Sequence, residues 1–155
     1  MRQLFLWLGH TPLGVYMRDS TNGFAAVEAV HLLGLAALGG VVLLFSLSVL
    51  GVARLSETPA GAARGLYPLF LTALGVMLAT GVLLVASKPL RYYLSDAFRV
   101  KAALLALGVA LYLYLDRRIT ARAVDTSASG DRALAATLLA LWLGVGLAGR
   151  FIGLL

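Results

Sequence analysis

The sequence predicts an all-α integral membrane protein: a four-helix bundle preceded by a short interfacial helical segment. Three observations predict it. Of 155 residues, 61% are hydrophobic and only 13% are charged, against about 25% charged in soluble domains. The mean hydropathy is +0.92. Four segments also each supply the roughly 20 mostly apolar residues that a bilayer span requires. The expected organisation is a single domain over residues 1–155, with an interfacial segment at 1–23 and spans at about 24–52, 66–87, 98–116 and 133–154.

The first segment divides at Thr11-Pro12, where threonine caps a helix that proline begins. The apolar stretch from Met1 to Gly9 is too short for a signal-peptide core and cleavage site, so it is read as retained. Leu13 to Ser20 mixes apolar and charged residues as a segment lying in the interface does, with Trp7 and Tyr16 at headgroup level. Ser20 to Gly23 reads as a turn into the first span.

Phe24 to Val52 is the first span, and Arg54 to Gly61 a plain polar connector before Leu66 to Ser87. The next loop, Lys88 to Asp96, sets Pro89, Tyr92 and Tyr93 among charges, as a segment folded back on the membrane surface does. The third span carries Tyr112 and Tyr114, read as aromatic-belt residues, and ends in Asp116, Arg117 and Arg118, read as a charge cluster at the helix end. Asp116 to Asp131, with its Thr126 to Gly130 run, reads as a solvated loop without a fold of its own. Ala133 to Leu154 is the last span.

Four spans place both termini and the second loop on one side. That side holds seven basic residues (Arg2, Arg18, Lys88, Arg91, Arg99, Lys101, Arg150) and the other six (Arg54, Arg64, Arg117, Arg118, Arg122, Arg132). The positive-inside rule is therefore nearly balanced. The tyrosine-rich loop resembles an ordered extracytoplasmic element, which points to extracytoplasmic termini in a bacterial inner membrane.

Small residues pair along the spans as Ala36 with Gly40, Gly75 with Gly81 and Gly149 with Gly153. The first and last, spaced four apart, allow close helix approach. Packing within one bundle is the first reading, and a seam in a homo-oligomer or larger membrane complex the second.

The candidate site lies in the first span. An ionisable residue at membrane depth costs roughly 2.5–3.5 kcal/mol on insertion scales, so it ordinarily faces the protein interior and has a task. Glu28 and His31 are three residues apart and share one helix face. His31 lies about 10 Å below the end of its span at about 1.5 Å per residue, a depth that suits a haem iron or a metal. Neutral imidazole is a common metal ligand and a haem axial ligand, and Glu28 can orient it or bind metal itself. His10 is the other histidine and the second candidate metal ligand; Arg150 can meet an anion such as a haem propionate, or neutralise Glu28. The cofactors considered are a b-type haem or a transition metal, used in redox chemistry or metal handling. Two other readings stay open: a noncatalytic accessory or scaffold subunit, and a small transporter.

With no cysteine, disulfides and thiolate metal sites are excluded. Nucleophile elbows, phosphate loops and hydrolytic carboxylate pairs are absent, so any enzyme activity would draw on a cofactor or partner. The net charge of +6 is spread over loops facing lipid headgroups. No loop has the basic run with interleaved aromatics that binds nucleic acid, so the expected partner is the lipid bilayer.

The motifs Thr11-Pro12-Leu13-Gly14, Arg18-Asp19-Ser20, Glu28-x-x-His31-Leu32-Leu33-Gly34, Ala97-Phe98-Arg99-Val100-Lys101, Trp142-Leu143-Gly144 and Gly149-Arg150-Phe151-Ile152 occur in that order. In this the chain resembles a small bacterial four-helix membrane family, domain-of-unknown-function family 6644. More distantly it is similar to copper-resistance D-like membrane proteins. The resemblance implies a compact four-span bundle with His31 in its most recognisable motif, and brings no established activity. It also implies a histidine at the end of the third span, where this chain has Asp116. That departure weakens a two-histidine haem here.

Overall fold

The computed structural model describes residues 2–56, 58–121 and 128–154, and these form seven helices without a strand. They are α1 (Arg2–His10), α2 (Pro12–Asp19), α3 (Thr21–Leu50), α4 (Pro59–Ser87), α5 (Pro89–Leu94), α6 (Asp96–Thr120) and α7 (Ser129–Leu154). Helices α3, α4, α6 and α7 are long and apolar enough to cross a membrane. They form an antiparallel bundle in which α3 packs on α4 and α7, and α6 on α7 and α4.

Side-chain caps set most helix starts. The hydroxyls of Thr11, Ser20, Thr58 and Ser95 accept the N–H groups of Gly14, Gly23, Gly61 and Phe98 at 3.1, 3.0, 3.0 and 3.2 Å. Each satisfies a donor that the first helical turn leaves open. Helix α3 stops at Gly51, whose φ of 79° is the left-handed conformation that glycine adopts without strain.

Several sequence expectations need correction. Ser20 to Gly23 is not a separate turn, because Ser20 caps α3 and the helix already includes Thr21. Helix α4 begins at Pro59, well before Leu66, since Thr58-Pro59 repeats the cap-and-proline start of α2. The second loop contains the helix α5. Helix α6 continues to Thr120, so the first part of the expected third loop is helical, and residues 122–127, with Thr126 and Ser127, lie outside the described residues.

Nor is Asp116 part of a surface charge cluster. It is 7% exposed, and its Oδ1 has no hydrogen-bond partner among the described residues. Arg118 instead pairs with Asp131 of α7, Nε to Oδ1 at 2.7 Å. Tyr112 is no belt residue either: it is buried, stacked on Phe70 with ring centroids 3.7 Å apart and 4.8 Å from Phe45. Tyr114 is exposed, and its hydroxyl accepts from Arg118 Nη1 at 3.1 Å.

The core runs through Leu38, Val42 and Phe45 of α3, Phe70 and Met77 of α4, Tyr112 and Leu115 of α6 and Leu138 of α7. Helices α1, α2 and α5 gather at the end of the bundle where α4 finishes and α3 and α6 begin. The candidate site lies inside that end.

Candidate functional site

His31 is half-buried and reaches across to α4, where its Nδ1 lies 2.9 Å from Thr80 Oγ1. The threonine hydroxyl has one proton, and donates it to the Val76 carbonyl at 2.7 Å. Its oxygen therefore accepts from His31, which places the imidazole proton on Nδ1 and leaves the lone pair on Nε2. Gly81 completes the seat: a Cβ there would sit 3.3 Å from the His31 ring, so its missing side chain is what admits the imidazole.

Lys101 is the neighbour that sequence reasoning did not single out. It is half-buried near the start of α6, its ammonium close enough for its charge to act on His31. Its chain lies over Gly149 of α7, where a Cβ would meet Lys101 Nζ at 3.5 Å. Thus Gly81, expected as a helix-packing residue, leaves room for the His31 ring, while Gly149 lies in ordinary contact with the Lys101 side chain. The signals were present in the sequence as Thr80, a polar residue in an apolar span, and Lys101, a cation inside the next apolar run.

The other sequence-predicted residues are not brought onto His31. Glu28 is exposed on the outer side of α3 and has neither a hydrogen bond nor an ion pair among the described residues. It shares a helix face with His31 but not a buried contact. Its charge is felt instead by Tyr92 of α5, whose phenol burial pushes above its ordinary range, with Arg91 pulling it down and Glu28 adding to the rise. His10 is exposed and lines a cleft with Ser87 and Lys88, about 9 Å along α4 from Gly81 at about 1.5 Å per residue. Arg150 is exposed and follows the glycine beneath Lys101. No group of three or more His, Cys, Asp or Glu is placed to hold a metal among the described residues.

What the arrangement can do is therefore specific. It presents one imidazole nitrogen with a free lone pair, held in orientation from behind, with a cation beside it. That combination can ligate a metal already carrying other ligands and pair with an anionic substituent of the same molecule.

The fold and site define an all-helical bundle protein with four helices of membrane-spanning length and a half-buried histidine held by a threonine inside one end. The chain belongs to a family of unknown function, DUF6644, whose model matches residues 4–155. Neither the curated proteins nor the solved structures contain a match. The comparisons show no likeness to copper-resistance D-like membrane proteins.

Proposed function

We propose that this is an integral protein of a bacterial inner membrane, its termini extracytoplasmic, that binds one b-type haem through His31 Nε2 for electron transfer or redox sensing. The observation that carries the reading is the Thr80 hydroxyl, which holds the proton on His31 Nδ1 at 2.9 Å and frees Nε2. A bare divalent metal suits the site less well. Such ions take several protein ligands, and Lys101 opposes a second positive charge. A haem brings four nitrogens of its own, needs as few as one imidazole, and carries propionates that Lys101 and Arg150 can meet. When bound, the group supplies one-electron chemistry; the chain's own part is to orient the ligand and balance charge.

Transport draws no support from the interior. Between His31 and the Tyr112 level, about 20 Å along α3 to Phe45 at about 1.5 Å per residue, the buried residues of α3 are Gly34, Leu38, Val41 and Val42. Those of α4 from Phe70 to Met77 are equally apolar, so among the described residues α3 and α4 supply no polar path between these levels. The scaffold reading has one observation in its favour: the small face of α3 at Ala36 and Gly40 is left open by the bundle.

Oxidised and reduced absorption spectra of the detergent-purified protein, with iron analysis on the same sample, test the haem reading. The parent chain is expected to show a Soret band and about one haem per chain, and His31→Ala to lose both while remaining helical. Glu28→Gln should retain the haem, because Glu28 does not contact His31. A featureless, iron-free parent protein after supply of haem would end the proposal.

A further inference from the structure

A second site lies on the same end of the molecule but outside the bundle. A cleft of about 430 Å³ opens where α1, α2, α5 and the last residue of α4 meet, and its lining includes His10, Arg18, Lys88 and Arg91 beside Leu6 and Leu90. Among the described residues, three permanent cations line it and no carboxylate does.

Arg18 comes from a part of the chain remote from Lys88 and Arg91 and is fixed in place, its Nη2 donating to the Gly9 carbonyl at 2.6 Å. A guanidinium has five N–H donors, so that bond leaves others for a ligand. The close packing that forms the cleft depends on Gly9, where a Cβ would meet Pro89 Cγ at 2.6 Å. The Ser87 hydroxyl donates to the Leu84 carbonyl at 2.6 Å, leaving it only an acceptor and no part in binding an anion.

We propose that this cleft binds the phosphate group of an anionic phospholipid. Arginine and lysine are the side chains that recognise phosphate, and three of them without an acid select an anion. The cleft lies at Ser87, where a helix of membrane-spanning length ends, and so at headgroup depth. Leu6 and Leu90 offer apolar surface to the glycerol and the first acyl carbons, which a free phosphate would leave unused. The proposal is independent of the haem reading, since the cleft shares no residue with the His31 site.

Native mass spectrometry of detergent-purified protein titrated with phosphatidylglycerol or phosphatidylcholine tests it, alongside competition by inorganic phosphate. The parent should retain one phosphatidylglycerol in preference to phosphatidylcholine. A Lys88→Gln, Arg91→Gln double variant should bind it about thirty-fold more weakly, from about 1 kcal/mol per basic residue and about 1.4 kcal/mol per tenfold. Lys88 and Arg91 are exposed, so the variant is expected to keep its helical circular dichroism. Arg54→Gln with Arg64→Gln, exposed at the other end of the bundle, should leave binding unchanged. Equal weakening by both pairs, or by neither, would overturn the proposal. Displacement of the lipid by millimolar phosphate would overturn its lipid half in favour of a free anion.

Discussion

The His31–Thr80 contact makes a prediction that a merely structural histidine would not. Thr80→Val nearly keeps the shape of the side chain and removes the acceptor for Nδ1–H. The imidazole then loses its fixed tautomer and orientation, and under the proposed haem reading the affinity for haem should fall about 10–100-fold, as for other outer partners of ligating histidines. Titration of the haem-free variant, followed at the Soret band, measures this; affinity equal to the parent's would remove Thr80 from any positioning role. At this scale sequence reading draws attention to a residue that is conspicuous in itself. His31 is the one histidine within the apolar spans, and it stands out for that reason alone. Lys101 and Thr80 do not, because their importance comes from two glycines on neighbouring helices and from which side chain turns inward between them. Glu28 shows the converse: its spacing from His31 fixes a shared helix face, while burial depends on what packs there, and Glu28 is left exposed among the described residues.

Helix boundaries follow local chemistry, and Asp131 shows how far one residue can serve two elements. It is 1% exposed; its Oδ2 accepts the Ala128 N–H at 3.3 Å at the start of α7, and its Oδ1 takes Arg118 of α6 at 2.7 Å. Asp131→Ala removes both the capping bond and the buried half of the ion pair, and should lower stability by about 2 kcal/mol. Asp96→Ala is the comparison. Its pair with Arg99 at 3.2 Å has 90% of the Asp96 side chain exposed, and an exposed pair contributes only about 0–1 kcal/mol. Thermal unfolding in detergent should therefore separate the two variants clearly; equal losses would mean that the Arg118–Asp131 clasp adds nothing beyond a surface pair. The cap at Thr11-Pro12 was legible because threonine and proline mark a helix start on their own. The extension of α6 through Asp116 was not, since a charged triplet ordinarily marks a helix end, and only packing against the neighbouring helices buries that carboxylate.

For the whole molecule, four helices of membrane-spanning length and their antiparallel order were legible from composition and segment length, whereas the use of the small residues was not, because a glycine in a sequence does not reveal what faces it. The structure sorts them. A Cβ at Gly34 would lie 3.4 Å from Val76 and 3.5 Å from the Met77 backbone nitrogen, so this glycine joins α3 to α4; a Cβ at Gly39 would meet the Trp142 indole. Gly40 has nothing within 4 Å, and Ala36 one turn before it is exposed. A Cβ at Gly40 therefore meets nothing inside the bundle, while a large side chain there blocks any helix that approaches closely along that face, where association rests on dispersion between small residues. If the bundle self-associates there, Gly40→Leu should retain the parent's helical content and thermal stability while its particle mass in detergent falls to that of one chain. Gly34→Leu should instead lose stability, through its clash with α4. Light scattering with the detergent contribution subtracted decides the matter: an unchanged mass for Gly40→Leu would mean that this face meets lipid, and would leave the scaffold reading without its one structural support.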